Sequence, residues 1–321
     1  MQEKLQMLPT IPLNDGNEIP AMAFGTGSKW KGQDVAIYVE QAINSGFGFI
    51  DTAAFYGNEE SVGRAIRESG LNRSELYIST KWGVLPDGGD IQVSIRESLT
   101  KLGVKSVDLY LVHMPSLMED DWEGYWKEFE TVKTQGLARS LGVSNFNLEE
   151  LQRTVKCAKI KPAVNQIKLH PYNYAKQKSV IEYAEKHGIV TEGYSSLTSI
   201  TQSPGGPVDA VVAKIAERIH ATPAQVLMLW VRSKGVVIIT TSSRRERLEE
   251  YLDIDSLPAL TEADVGEIDA AGAKGAPMNV LASLQEQRVR IAKSFHKMHW
   301  ALKTVNIVGV AGMLLYVGHK L

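Results

Sequence analysis

Eight short apolar runs punctuate this chain, and between them apolar residues recur at helical rather than strand spacing. The runs are Ala21–Gly25, Phe47–Asp51, Leu76–Thr80, Asp108–Val112, Ala138–Val143, Ala163–Ile167, Val190–Tyr194 and Val236–Thr240. Strands joined through helical crossovers run parallel, and a parallel sheet must be covered on both faces. Eight such strands can close around an interior filled by side chains, so the alternation predicts a (β/α)8 barrel of the TIM type. The competing assembly is a doubly wound open sheet, against which no Gly-x-Gly-x-x-Gly follows the first run.

The intervals carry helical patterns. Glu59 to Ser69 sets Val62, Ala65 and Ile66 on one face, and Asp90 to Leu102 does so with Ile91, Ile95, Leu99 and Leu102. Asp121 to Gln135 carries Trp122, Trp126, Phe129 and Val132 in the same way, and Lys31 to Asp34 leads into a helix over Val35, Ala36, Val39 and Ala42. Thr222 is placed to cap a helix opening at Pro223. Ahead of the first run, Asn14-Asp15-Gly16 turns between apolar flanks, which predicts an N-terminal β-hairpin fit to plug one barrel end.

With 321 residues, 44% of them apolar, the chain can bury a core without a partner. Its net charge of -2 lacks the basic excess of a nucleic-acid binder, so no nucleic-acid partner is expected. Cys157 is the only cysteine, which excludes an internal disulfide and fits a reducing, cytoplasmic compartment. His170 has no second histidine at metal-binding spacing, and no metal is expected.

Barrel enzymes assemble their chemistry at the C-terminal ends of their strands. Asp51 ends the second run, Tyr56 lies in the turn bounded by Gly57 and Asn58, Lys81 follows the third run and His113 follows the fourth. A tyrosine with its ordinary pKa of about 10 is a poor proton donor, but a neighbouring ammonium favours the phenolate. Lys81 could supply that charge, Asp51 could keep Lys81 protonated, and His113 could orient a substrate oxygen. The bland alternative is a structural Asp51–Lys81 ion pair with Tyr56 and His113 merely packed.

Together, Asp51, Tyr56, Lys81 and His113 resemble the catalytic tetrad of the aldo-keto reductases. Gly46–Gly57, Ser79–Gly83, Leu109–Pro115, Gly142–Phe146, Val164–Gln166 and Gly193–Ser195 follow in that family's order, and the resemblance covers about Ile11 to Lys274. It implies a barrel that binds an extended nicotinamide cofactor without a Rossmann domain, NADPH with NADH as an alternative. It also implies that Tyr56 protonates the oxygen of an aldehyde or ketone that receives a hydride. Ser144, Asn145 and Gln166 would bind the nicotinamide carboxamide, Tyr194 would stack on the ring, and Ser195 and Leu197 would border the cofactor. Gly25 and Thr26, in the small-residue turn Gly25-Thr26-Gly27, would let it approach the backbone.

At the adenosine end, Ser242 and Arg247 match the family's 2'-phosphate site, and Glu250 matches its adenine-contacting acid. Thr241 stands where the family has lysine, and Tyr251 where it has asparagine. For the substrate, Trp30, Phe55, Trp82 and Met114 are expected as an apolar wall around the carbonyl.

Beyond Lys274 the resemblance fades. The barrel is expected over residues 1–280. A basic amphipathic helix is expected over 281–303, where Leu284, Ile291, Phe295, Met298 and Leu302 alternate with Arg288, Arg290, Lys293, Lys297 and Lys303. An apolar tail follows over 304–321, uncharged from Thr304 to Gly318. As a helix that uncharged run spans about 22 Å, against a hydrocarbon core of about 30 Å. A membrane anchor holding the barrel on the cytosolic side, a helix packed on the barrel or a partner subunit, and a peroxisomal address at His319-Lys320-Leu321 all fit. The chain as a whole reads as a carbonyl reductase acting on a small molecule. Its rival is a nicotinamide-binding redox sensor or regulatory subunit of a membrane partner.

Overall fold

Each of the eight apolar runs is a strand in the computed structural model, which describes residues 8–27, 30–83 and 89–277. The strands are β1 (Thr10–Pro12), β2 (Glu18–Pro20), β3 (Met22–Gly25), β4 (Phe49–Asp51), β5 (Tyr77–Trp82), β6 (Val107–Val112), β7 (Ala138–Ser144), β8 (Val164–Lys168), β9 (Val190–Tyr194) and β10 (Val237–Thr240). The helices are α1 (Ala36–Ser45), α2 (Glu59–Glu68), α3 (Ile91–Leu102), α4 (Trp122–Thr134), α5 (Leu148–Cys157), α6 (Pro171–Lys186), α7 (Thr198–Thr201), α8 (Pro207–Ile219), α9 (Pro223–Ser233), α10 (Arg245–Leu252) and α11 (Glu262–Ala273). Strands β3 to β10 pair in sequence order, all parallel, and β10 closes the ring against β3 through Ile238–Met22, Ile239–Ala23 and Thr240–Phe24. This is the expected (β/α)8 barrel.

Local signals set the helix ends. The Asp90 carboxylate accepts the Val93 N–H at the start of α3, and that of Asp121 accepts the Gly124 N–H at the start of α4. Thr222 and Gln225 form a reciprocal capping box on α9. At the other end of α3, Gly103 takes a positive φ of 71°, which an L side chain rarely adopts.

Two apolar layers result. One joins the outer faces of the strands to the helices. The other fills the barrel with Ala23, Phe49, Leu109, Leu111, Val164 and Val237, and the hairpin residues Leu13 and Ile19 belong to it. Strands β1 and β2 pair antiparallel, and Ile19 is fully buried. Burial of such a side chain contributes roughly 2 kcal/mol. Asn14 donates to the Pro162 carbonyl at 2.9 Å, and Asp15 pairs with Lys133. The hairpin thus closes the barrel end opposite the strand C-termini, leaving the latter as the open mouth.

The compact unit extends to Ala276, and its last described helix ends at Ala273. Membrane attachment is corrected here: among the described residues no helix is long and apolar enough to cross a membrane. The segments 281–303 and 304–321, on which that expectation rested, lie outside the described residues.

Candidate active site

At the open mouth, Asp51 is the last residue of β4 and Lys81 the fifth of β5, with Ser79 two positions below it on the same face. Lys81 Nζ donates to Asp51 Oδ1 at 2.7 Å, Asp51 Oδ2 at 2.9 Å and the Thr52 carbonyl at 2.9 Å. Ser79 Oγ donates to the same Asp51 Oδ1 at 2.8 Å. The Tyr56 hydroxyl lies 3.5 Å from Lys81 Nζ. A short 3-10 turn over Ala54–Tyr56, closed by Gly57 at φ 64°, carries this tyrosine back over the lysine. The His113 ring meets Tyr56 edge-on, with centroids 5.5 Å apart. The four residues separated in sequence are therefore one cluster.

Burial decides the electrostatics. Full burial by itself would favour loss of the Lys81 proton, but the Asp51 carboxylate outweighs it and holds the ammonium above the ordinary lysine range. Burial raises the Tyr56 phenol, and the opposing pull of Lys81 only partly offsets it. The expected net lowering by Lys81 is thus not what this arrangement gives. Tyr56 keeps its proton, and Lys81 stands ready to stabilise the phenolate if that proton leaves. Burial, followed by the charges of Lys81 and Lys31, pushes His113 down to about 3, so its imidazole is neutral at physiological pH.

A cavity of about 790 Å³ opens beside the cluster. Tyr56 and His113 line it, while Lys81 and Asp51 sit behind them. Opposite lie Ser144, Asn145, Gln166 and Tyr194, at or near the ends of β7, β8 and β9. Tyr194 donates to Asn145 Oδ1 at 2.7 Å, and Asn145 Nδ2 donates to the His113 carbonyl at 3.0 Å, which ties this wall to the tetrad. Asn145 and Ser195 both hold positive φ values, 65° and 61°. Gly25, Ser195, Leu197 and Arg247 also line the cavity.

Other expected site residues are placed elsewhere. Thr26 is buried and satisfied by Thr52 and the Asp51 carbonyl, so it faces protein rather than the cavity. Ser242 caps locally by accepting the Arg244 N–H at 3.1 Å. Glu250 accepts from the Thr222 hydroxyl at 2.5 Å and so braces the start of α9. Trp30 stacks between Phe24 and Tyr38 and is 5% exposed. Trp82 alternates outward from Lys81, donates to the Gly89 carbonyl and packs on Tyr125 and Phe129 of α4. Among the described residues the apolar wall near the tetrad therefore keeps Phe55 and Met114 of the expected set and adds Leu117.

Comparison with known proteins matches residues 21–273 to the Aldo/keto reductase family. The chain belongs to the aldo/keto reductase family. Its relatives include the NAD/NADP-dependent indole-3-acetaldehyde reductase of Schizosaccharomyces pombe, 38% identical over 80% of this chain and 93% of that protein. The methylglyoxal reductase of Yersinia pestis is 36% identical over 82% and 95%. Among solved structures, a Bombyx mori aldo-keto reductase in complex with NADP aligns at a TM-score of 0.74 with 31% identity, covering 82% of this chain and 92% of that one. The family match ends before the C-terminal segment that suggested a membrane anchor.

Two residues at this aldo/keto reductase's site escape a reading of the sequence. Gly27, whose turn suggests room for a ligand, makes room for Tyr56: a Cβ there would lie 2.4 Å from Tyr56 Cζ and 2.8 Å from its hydroxyl. Gly27→Ala is expected to displace the phenol and lower turnover roughly 10- to 100-fold with the fold intact, since small misplacements at a reacting centre cost that much. Steady-state kinetics beside a thermal melt would check this, and wild-type turnover would contradict it. The second residue is Glu192, fully buried two positions before Tyr194 on the same face of β9. Its signal is a carboxylate inside an otherwise uncharged strand.

Proposed function

We propose that this aldo/keto reductase reduces an aldehyde or ketone with hydride from NADPH, with Tyr56 as general acid. The observation that carries this reading is the Lys81 ammonium, saturated by Asp51 and Thr52, lying 3.5 Å from a phenol on the cavity wall. The cavity suits a nicotinamide dinucleotide. Ser144, Asn145 and Gln166 offer polar groups for a carboxamide, and Tyr194 is held for ring contact by its bond to Asn145. Thr241 lines the cavity with a buried hydroxyl that has no partner among the described residues, and Arg247 lines the same cavity. Arg247 favours a phosphorylated cofactor, NADPH over NADH. A structural relative solved with NADP supports the same choice, and a relative described as NAD/NADP-dependent fits slower use of NADH.

When bound, the reduced nicotinamide supplies hydride to the carbonyl carbon. This chain's residues handle the proton. Negative charge developing on the carbonyl oxygen draws the hydrogen from Tyr56 Oη, and the phenolate left behind is stabilised by Lys81. Asp51 keeps that ammonium fixed and charged. Neutral His113 donates a hydrogen bond to the same oxygen without competing as the acid. Phe55, Met114 and Leu117 give the carbonyl's substituent an apolar surface.

Purified protein is expected to oxidise NADPH in the presence of 4-nitrobenzaldehyde, and NADH more slowly. Because His113 stays neutral, kcat/KM should show no histidine step between about pH 5 and 8. No oxidation of either nucleotide across a panel of aldehydes and ketones would overturn the proposal.

A further inference from the structure

Beneath the cavity floor lies a second buried acid that the proton transfer does not use. Glu192 is 0% exposed, and its parallel neighbour across the β8–β9 ladder is Gln166. Gln166 Nε2 donates to Glu192 Oε2 at 2.6 Å and to Asp51 Oδ1 at 3.1 Å. Both amide hydrogens are thereby committed to carboxyl oxygens, which assigns the amide's orientation. Asp51 Oδ1 already accepts from Ser79 at 2.8 Å and Lys81 at 2.7 Å, so the shorter bond to Glu192 is the stronger anchor. Glu192 Oε1 has no hydrogen-bond partner among the described residues. A carboxyl group tolerates that position far better uncharged than ionised. Burial first, then the charge of Asp51, raises Glu192 to about 8. At neutral pH it therefore offers Gln166 a neutral acceptor and adds no second anion beside the Asp51–Lys81 pair.

We propose that Glu192 is a positioning residue for the cofactor's carboxamide: by clamping the Gln166 amide nitrogen below the floor, it leaves the Gln166 carbonyl oxygen as the acceptor facing the cavity. The inference rests on the reading that this cavity takes a nicotinamide, and extends it to a residue that never touches the ligand. An acceptor at that place recognises the carboxamide N–H. It gives nothing to a cofactor in which an acetyl group replaces the carboxamide.

The test compares binding of NADPH and reduced 3-acetylpyridine adenine dinucleotide phosphate at pH 7, by nucleotide fluorescence with no carbonyl present. One hydrogen bond predicts a preference of about 5- to 10-fold for NADPH in the wild type. Glu192→Gln, which keeps a neutral oxygen acceptor, should retain that preference. Glu192→Met should bring it to within about 2-fold of equality, as the anchoring bond is lost. If Glu192→Met does not fold, the smaller Glu192→Ala carries the same expectation. A full preference in the folded Met or Ala variant overturns the positioning role, as does a wild type that binds both nucleotides equally. A wild type that binds neither overturns the nicotinamide reading itself.

Discussion

Tyr56→Phe is expected to lower kcat for carbonyl reduction about 1,000-fold, within the range that general acid catalysis supplies. The phenylalanine ring fills the same space against His113 and Gly27, so the cavity keeps its shape. What is lost is the hydroxyl whose oxygen lies 3.5 Å from Lys81 Nζ and whose hydrogen is available to a carbonyl oxygen. Cofactor affinity should stay within about 2-fold, because Tyr56 meets the cofactor only through the reacting centre. Steady-state kinetics and fluorescence titration of NADPH separate the two effects. Equal turnover in both proteins would remove Tyr56 from the chemistry, and loss of nucleotide binding would recast it as part of the binding surface.

The second large effect concerns stability. Burial raises the Glu192 carboxyl in the fold to about 8, against an ordinary value of 4.5. Between those values the folded state keeps a proton that the unfolded chain releases, so the unfolded state binds fewer protons and stability falls as pH rises. The penalty is absent below about pH 4.5, grows through neutrality and levels off above about pH 8, reaching roughly 5 kcal/mol. Glu192→Gln cannot ionise. Its denaturant-unfolding stability relative to wild type should therefore be similar near pH 4.5 and pull ahead steadily towards pH 8. A difference that stays constant over that range would show that Glu192 does not hold its proton in the fold.

The barrel was legible because each strand carries its own apolar run and several helices carry their own caps. Asp90, Asp121 and Thr222 announce helix starts that the structure then forms. Boundaries were less legible, since they depend on pairing partners: β5 continues through Lys81 and Trp82 because these residues pair with Leu111 and Val112 of β6. The same extension explains Trp82. Once Lys81 is inside the strand and facing the mouth, its neighbour must turn out towards α4. Strand ends also located the acid, the lysine and the histidine, because a closed barrel brings all such ends to one rim. The direction of the Tyr56 shift could not be read that way. Proximity of Lys81 follows from the order of the strands, but the competing cost of burial depends on how Phe55, His113 and Gly27 enclose the phenol. Thr26 shows a related limit: its type suits cofactor contact, yet its hydroxyl faces Thr52 and the Asp51 carbonyl.

The central claim is that hydride and proton reach a single carbonyl at this cavity, and isotope transfer tests it most directly. NADPH carrying deuterium at one face of the nicotinamide C4 is mixed with excess enzyme and 4-nitrobenzaldehyde for a single turnover, and the benzylic carbon of the alcohol is analysed by mass spectrometry. On the proposal that Tyr194 fixes the ring, the label should pass to that carbon from one face of the nicotinamide and be retained in the oxidised cofactor from the other. An alcohol without label from either face, or with equal label from both, would contradict the account.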